Sequence, residues 1–134
     1  MVAIVVVDTS FLMIPAEFGI DVFAESKEIL EENIEFVVLT SVIREIETKP
    51  KSGSTPRNSK FRIAGDLAKL CKTVDVSPSI ADLPVDDQLL EYTASIKGVL
   101  ATNDRTLRER ARERGLPVLL MRGKKRLALE GSVV

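Results

Sequence analysis

Four acidic positions carry the most chemistry in this chain: Asp8, Glu45, the adjacent pair Asp86 and Asp87, and Asp104. Asp8 ends the apolar run Ala3-Ile4-Val5-Val6-Val7, and Glu45 lies about one turn into the helical stretch after Phe36–Leu39. Asp86 and Asp87 open a helix, and Asp104 opens another just after Val99-Leu100-Ala101. Taken singly, each has a plainer reading: Asp8 and Asp104 as helix caps, Glu45 as an exposed helix acid, the pair as charge favoured by a helix dipole. Taken together, carboxylates at matching ends of strands and helices converge on one rim. Acids packed closely repel, and something positive must offset them. The chain has no His and a single Cys, so a Cys/His metal site is excluded. The natural partner is a hard, oxygen-seeking ion, Mg²⁺ or Mn²⁺. Such ions clamp phosphate oxygens and lower the pKa of water, which is what phosphodiester hydrolysis requires.

The elements that must hold these acids follow from the apolar pattern. Residues 3–7 are too short and too uniformly apolar to have a wet face, so they predict a strand buried on both sides. Ligand crevices in open α/β sheets form at the C-terminal ends of such strands. A short helix from Phe11 is interrupted by Pro15, and a second runs from Asp21 to Glu32. Phe36–Leu39 is a buried strand, after which Thr40-Ser41 caps a helix over 42–48. Pro50 to Ser59 reads as a basic loop, followed by a helix to about Lys72 and a brief edge strand, Val74-Asp75-Val76. Pro84 starts a helix that Gly98 stops, and Val99–Ala101 is a strand. Thr102 or Asn103 caps an Arg-rich helix ending at Gly115, and Pro117–Met121 is the last strand. Residues 122–134 are a basic, then apolar tail with no assigned structure. Alternating strands and helices predict one α/β domain over 1–134, with a mostly parallel sheet of about five strands covered on both faces.

Composition narrows the class. Of 134 residues, 45% are hydrophobic and only 4% aromatic, so the core is aliphatic. No apolar stretch approaches the length of a spanning helix, and no basic leader precedes the first strand, which predicts a cytoplasmic protein. The net charge of −1 hides a segregation of signs. Residues 1–48 carry ten acids and two bases, and residues 49–72 seven bases and one acid. Residues 73–104 carry six acids and one base, and residues 105–126 nine bases and two acids. An acidic centre flanked by basic surfaces suits a polyanionic partner.

The motifs resemble those of the PIN-domain nucleases over nearly the whole chain. VVVDTSFLM is similar to the family's first motif, and LTSVIREIE to the second. VDDQLLEYTASIKGVLATNDRTLRERA resembles the third and fourth together, its Asp–helix–Gly–strand–TND order being the most specific part. The resemblance implies a three-layer α/β/α sandwich and places the metal-binding, catalytic acids on Asp8, Glu45, Asp87 and Asp104. Asp87 is preferred over Asp86 by its spacing to Leu89-Leu90 and Thr93-Ala94, leaving Asp86 and Thr102 as accessory residues. It also implies hydrolysis leaving a 5′-phosphate and a 3′-hydroxyl. Asp86-Asp87 and LPVLLMRGKKRLAL look more like the rRNA-processing branch and its archaeal relatives than like toxin members.

Lys49, Lys51, Arg57, Lys60 and Arg62 bracket the loop after the Glu45 helix, and Arg105 adjoins Asp104. These are the expected contacts to RNA phosphates, with few aromatic side chains free to stack on bases. The leading function is therefore a metal-dependent endoribonuclease, in RNA processing or as the toxin of a toxin–antitoxin pair. Its partners would be RNA, a second copy of the chain, and an antitoxin or pre-ribosomal particle, with no membrane. The competing reading is a non-catalytic PIN-like RNA-binding or ribosome-assembly protein. A phosphotransfer receiver domain is disfavoured, because the third strand is weak and lacks a terminal Asp.

Overall fold

A computed structural model describes residues 2–48 and 56–132. The first half holds β1 (Val2–Val7), α1 (Thr9–Leu12), α2 (Ile14–Phe18), α3 (Val22–Leu30), β2 (Asn33–Leu39) and α4 (Thr40–Glu47). The second holds α5 (Pro56–Ala68), β3 (Lys72–Val74), α6 (Val85–Ile96), β4 (Val99–Ala101), α7 (Arg105–Glu113), β5 (Val118–Arg122) and β6 (Arg126–Glu130). The six strands form one sheet in the order β3-β2-β1-β4-β5-β6, parallel except for the β5–β6 pair. Val5, Val6 and Val7 have no exposed surface, as the uniformly apolar run requires of a central strand. Each such side chain contributes about 1.5–3 kcal/mol on burial.

The chain leaves β1, builds β2 and β3 on one side, then returns to build β4 and β5 on the other. The order therefore reverses between β1 and β4, and their C-terminal ends open the crevice where such sheets bind ligands. The β1–β4 pairing continues one step beyond the strands, with the Asp8 amide donating to the Ala101 carbonyl at 3.1 Å. Helix α5 packs on α1, α2 and α4, while α6 lies on β1 and β4, and α7 on β5. No helix among the described residues is long and apolar enough to cross a membrane.

Several local expectations are corrected. The sheet has six strands, because the tail forms β6, which folds back on β5 through a turn containing Gly123 at φ +70°. Helix α5 begins at Pro56, so positions 56–59 are helix and not loop; a proline at the first helical position lacks only an N–H that would be unpaired there. That helix ends at Ala68, leaving Cys71 beyond it. The caps also differ. Leu39 precedes α4 without a side-chain cap, and Asp104, not Thr102 or Asn103, caps α7. At the end of α6, Lys97 takes the left-handed conformation. Gly98 instead allows close approach, since a Cβ there would lie 2.9 Å from the Ile4 carbonyl oxygen.

Candidate active site

Asp8 sits where β1 becomes α1, 6% exposed, at the floor of a cleft of about 410 Å³. Its carboxylate caps α1 by accepting the Phe11 amide at 2.8 Å and accepts the Ser10 hydroxyl at 2.8 Å. Thr102, at the end of β4, donates its hydroxyl to the other Asp8 oxygen. Ser10 and Thr102 stand 3.2 Å apart, and each turns back to the β4–α7 connection. Ser10 Oγ accepts the Asn103 amide at 2.8 Å, and Thr102 Oγ1 accepts the Asp104 amide at 3.0 Å. Two hydroxyls thus tie the ends of the two central strands to one carboxylate. Capping and site chemistry are one arrangement here, not alternatives. Burial pushes the Asp8 carboxyl up to about 6 against the hydrogen bonds from Thr102, Phe11 and Ser10, with Asp104 adding a smaller push upward.

The remaining acids approach from three helices. Glu45, half-buried on α4, accepts the Thr9 hydroxyl at 2.6 Å, so the residue after Asp8 sets its orientation. Asp104, exposed, uses one carboxylate oxygen on the Leu107 amide at 2.9 Å as the α7 cap. Asp86, in the first turn of α6, stands at the cleft mouth. Partial burial holds its carboxyl above the usual range, and the charges of Asp104 and Glu45 push the same way. The walls include Met13, Val42, Phe61, Val85 and Leu89, and no lysine or arginine lines the cleft among the described residues.

Asp87 does not line this cleft. It is bonded to Arg110 of α7, a partly exposed pair that ties the two helices together. Neighbouring helix residues point about 100° apart, so one of the pair faces the cleft and the other faces α7. Of the adjacent pair, Asp86 is the one that lines the cleft with Asp8, Glu45 and Asp104. Glu47 lines a different cavity, with Arg62, between α4 and α5.

The expected nucleic-acid contacts divide. Lys49 and Lys51 fall outside the described residues, and Arg57 is described only as part of α5. Lys60 is 3.9 Å from Glu17, and Arg105 pairs with Glu109 at 3.2 Å instead of turning to the cleft. Sequence reasoning missed the roles of Thr9, Ser10 and Arg110. Two hydroxyl residues directly after a strand-ending Asp were the available signal for the first two; nothing local announced Arg110.

Among the described residues no three acids are gathered tightly enough to make a ready-formed metal cage. The donor set still suits one class of ion. It is all oxygen, open and anionic, and Mg²⁺-type ions are held by one or two carboxylates while keeping several waters.

Fold and site together define a member of the PIN-like domain family, whose model matches residues 5–124. The chain is 31% identical over 132 residues to ribonuclease VapC4 of Methanocaldococcus jannaschii, covering 96% of this chain and 98% of that one. Among solved structures it is similar to the PIN domain endonuclease Utp24, with TM-score 0.75 and 26% identity over 97% of this chain and 92% of that one.

Proposed function

We propose that this protein is a divalent-metal-dependent endoribonuclease hydrolysing RNA phosphodiester bonds. The observation that carries the reading is the gathering of Asp8, Glu45, Asp86 and Asp104 around one cleft, at the sheet's switch point, with no cation among its described walls. The names of the two relatives, a ribonuclease and an endonuclease, support the reaction class. Asp8, Glu45, Asp86 and Asp104 are the residues that would hold Mg²⁺ or Mn²⁺, directly or through water. The ion would supply Lewis acidity toward the phosphate and a lower pKa for water.

The chain's own contribution is preorganisation. Ser10 and Thr102 fix the Asp8 carboxylate, Thr9 fixes Glu45, and the α7 cap fixes Asp104. In this reading Glu45 or Asp86, both in the cleft lining, would help orient an attacking water. No side chain is suited to act as the nucleophile: imidazole is absent, and burial pushes the Cys71 thiol up to about 11. The test is incubation of labelled single-stranded and structured RNAs with Mn²⁺, with EDTA, and with Asp8→Asn. Cleavage should require the metal and fall at least about a hundredfold in the variant, on the scale of removing one preorganised electrostatic group. Undiminished cleavage in EDTA, or by Asp8→Asn, overturns the mechanism. The same chemistry serves RNA processing and a toxin, and co-purification from the native host distinguishes a pre-ribosomal particle from a small antitoxin as partner.

A further inference from the structure

A second cavity opens on the same rim, lined like the acidic cleft by residues of α4 and α6. Val42 and Glu45 of α4, with Val85, Asp86 and Leu89 of α6, line the acidic side. Ser41 and Arg44, with Gln88, line the other, a cavity of about 310 Å³ closed by Thr40, Asp75, Val76 and Ala81. Three features mark it as a binding site. The Ser41 hydroxyl is buried in its wall without a hydrogen-bond partner, an arrangement that costs about 1–3 kcal/mol unless something pairs with it. Arg44, exposed at the cavity, makes no ion pair among the described residues. Gln88 is 6% exposed and holds the adjoining loop by donating both amide hydrogens, to Ala81 O at 3.0 Å and Leu83 O at 2.9 Å. Only its carbonyl oxygen is left to offer.

The polar inventory decides the ligand. A phosphate subsite needs donors alone, and the Asp75 carboxylate would repel it. Asp75 has one oxygen on the Thr40 hydroxyl, which fixes the carboxylate at the cavity edge. The lining offers donors from Arg44 and Ser41 and acceptors from Asp75 and Gln88, with Val76 and Ala81 supplying apolar contact. That mixture is complementary to the edge of one unstacked base. Guanine fits best, because it offers a carboxylate two adjacent N–H donors and a guanidinium the O6 and N7 acceptors. A planar guanidinium can also stack on a base where aromatic side chains are lacking.

We propose that the Ser41–Arg44–Asp75–Gln88 cavity is a base-recognition subsite that takes a guanine of the RNA strand close to the cleaved bond. This rests on the ribonuclease reading above, and binding without turnover separates the two. Fluorescein-labelled uridine hexamers carrying G, A, C or U at one central position are titrated with the full chain in EDTA. The G probe should bind about tenfold tighter than the others, a single base contact being worth roughly that much. Arg44→Ala and Asp75→Asn should each remove the difference, and Ser41→Ala should reduce it, with thermal melts confirming that the variants are folded. Asp8→Asn should retain it. Equal binding of the four probes, or a G preference that survives both Arg44→Ala and Asp75→Asn, overturns the subsite. Absence of cleavage in Mn²⁺ would instead overturn the nuclease reading and leave this binding result legible.

Discussion

Asp8 is costly to the fold in the absence of a cation. Its carboxyl titrates at about 6 in the folded chain against an ordinary 3.8, because burial outweighs the hydrogen bonds it receives. The folded state therefore holds this proton more tightly than the unfolded state. Stability falls as pH rises from about 4 to about 6 and stays lower above that window. Asp8→Asn removes the penalty. In chelator-treated buffer the variant should be more stable than the wild type at pH 7, by on the order of 2–3 kcal/mol, with the gap closing toward pH 4. Urea unfolding at the two pH values checks this. A wild type as stable as the variant at pH 7 would mean that the hydrogen bonds from Ser10, Thr102 and Phe11 compensate the buried charge in full.

At the scale of elements, the first turn of α6 sorts two adjacent acids into different tasks. Asp86 faces the cleft, and Asp87 holds Arg110 of α7. Asp86→Asn should lower the cleavage rate by at least about tenfold, as loss of a group positioned on the reacting centre does. Asp87→Asn should retain most of the rate and chiefly lower the melting temperature. The reverse ranking, measured as kcat on one RNA, would return the role to Asp87 and mean that α6 turns when substrate binds. A second element-scale prediction concerns the crossing of β1 and the α6–β4 connection. At Gly98 an added methyl would meet the Ile4 carbonyl oxygen at 2.9 Å, and that oxygen is backbone in a central strand that cannot step aside. Gly98→Ala should destabilise the protein by about 1–3 kcal/mol, read as a shifted denaturation midpoint at unchanged slope.

Over the whole molecule, the segregated charge places a polyanion problem next to a cation solution. The cleft is acidic, and the chain stretch that follows α4 is strongly basic, with seven bases and one acid over residues 49–72. Replacing Lys49, Lys51, Arg57 and Lys60 together by Ala should weaken RNA binding and flatten its salt dependence, since each phosphate contact contributes about 0.7 to the logarithmic slope on a single strand. Lys60 should contribute least of the four, because it is within 3.9 Å of Glu17. A salt slope identical to that of the wild type would assign all four charges to solvated surface.

Much of this architecture is written locally. A run of β-branched residues with no polar face can satisfy itself only in the interior of a sheet, so the sequence alone placed Val5–Val7 at the centre and Asp8 at its C-terminal end. Alternation of strands and helices then left few topologies, and the acids at strand ends had to share a rim. The tail was legible in principle: Arg126-Leu127-Ala128-Leu129-Glu130 follows a glycine turn, but its pairing with β5 is a contact between segments and not a property of either. The same limit applies to the site. Spacing could bring both Asp86 and Asp87 to this rim, but which of them lines the cleft depends on how α6 is rotated, with Asp86 turned to the cleft and Asp87 to Arg110 of α7. The hydroxyl bridge from Thr9 to Glu45 spans 36 positions, and that from Thr102 to Asp8 spans 94. Residue types and periodicity determine which elements form and what chemistry their ends can offer. Only the folded chain decides which oxygen meets which hydrogen, because that depends on helix rotation and strand register set by the whole core.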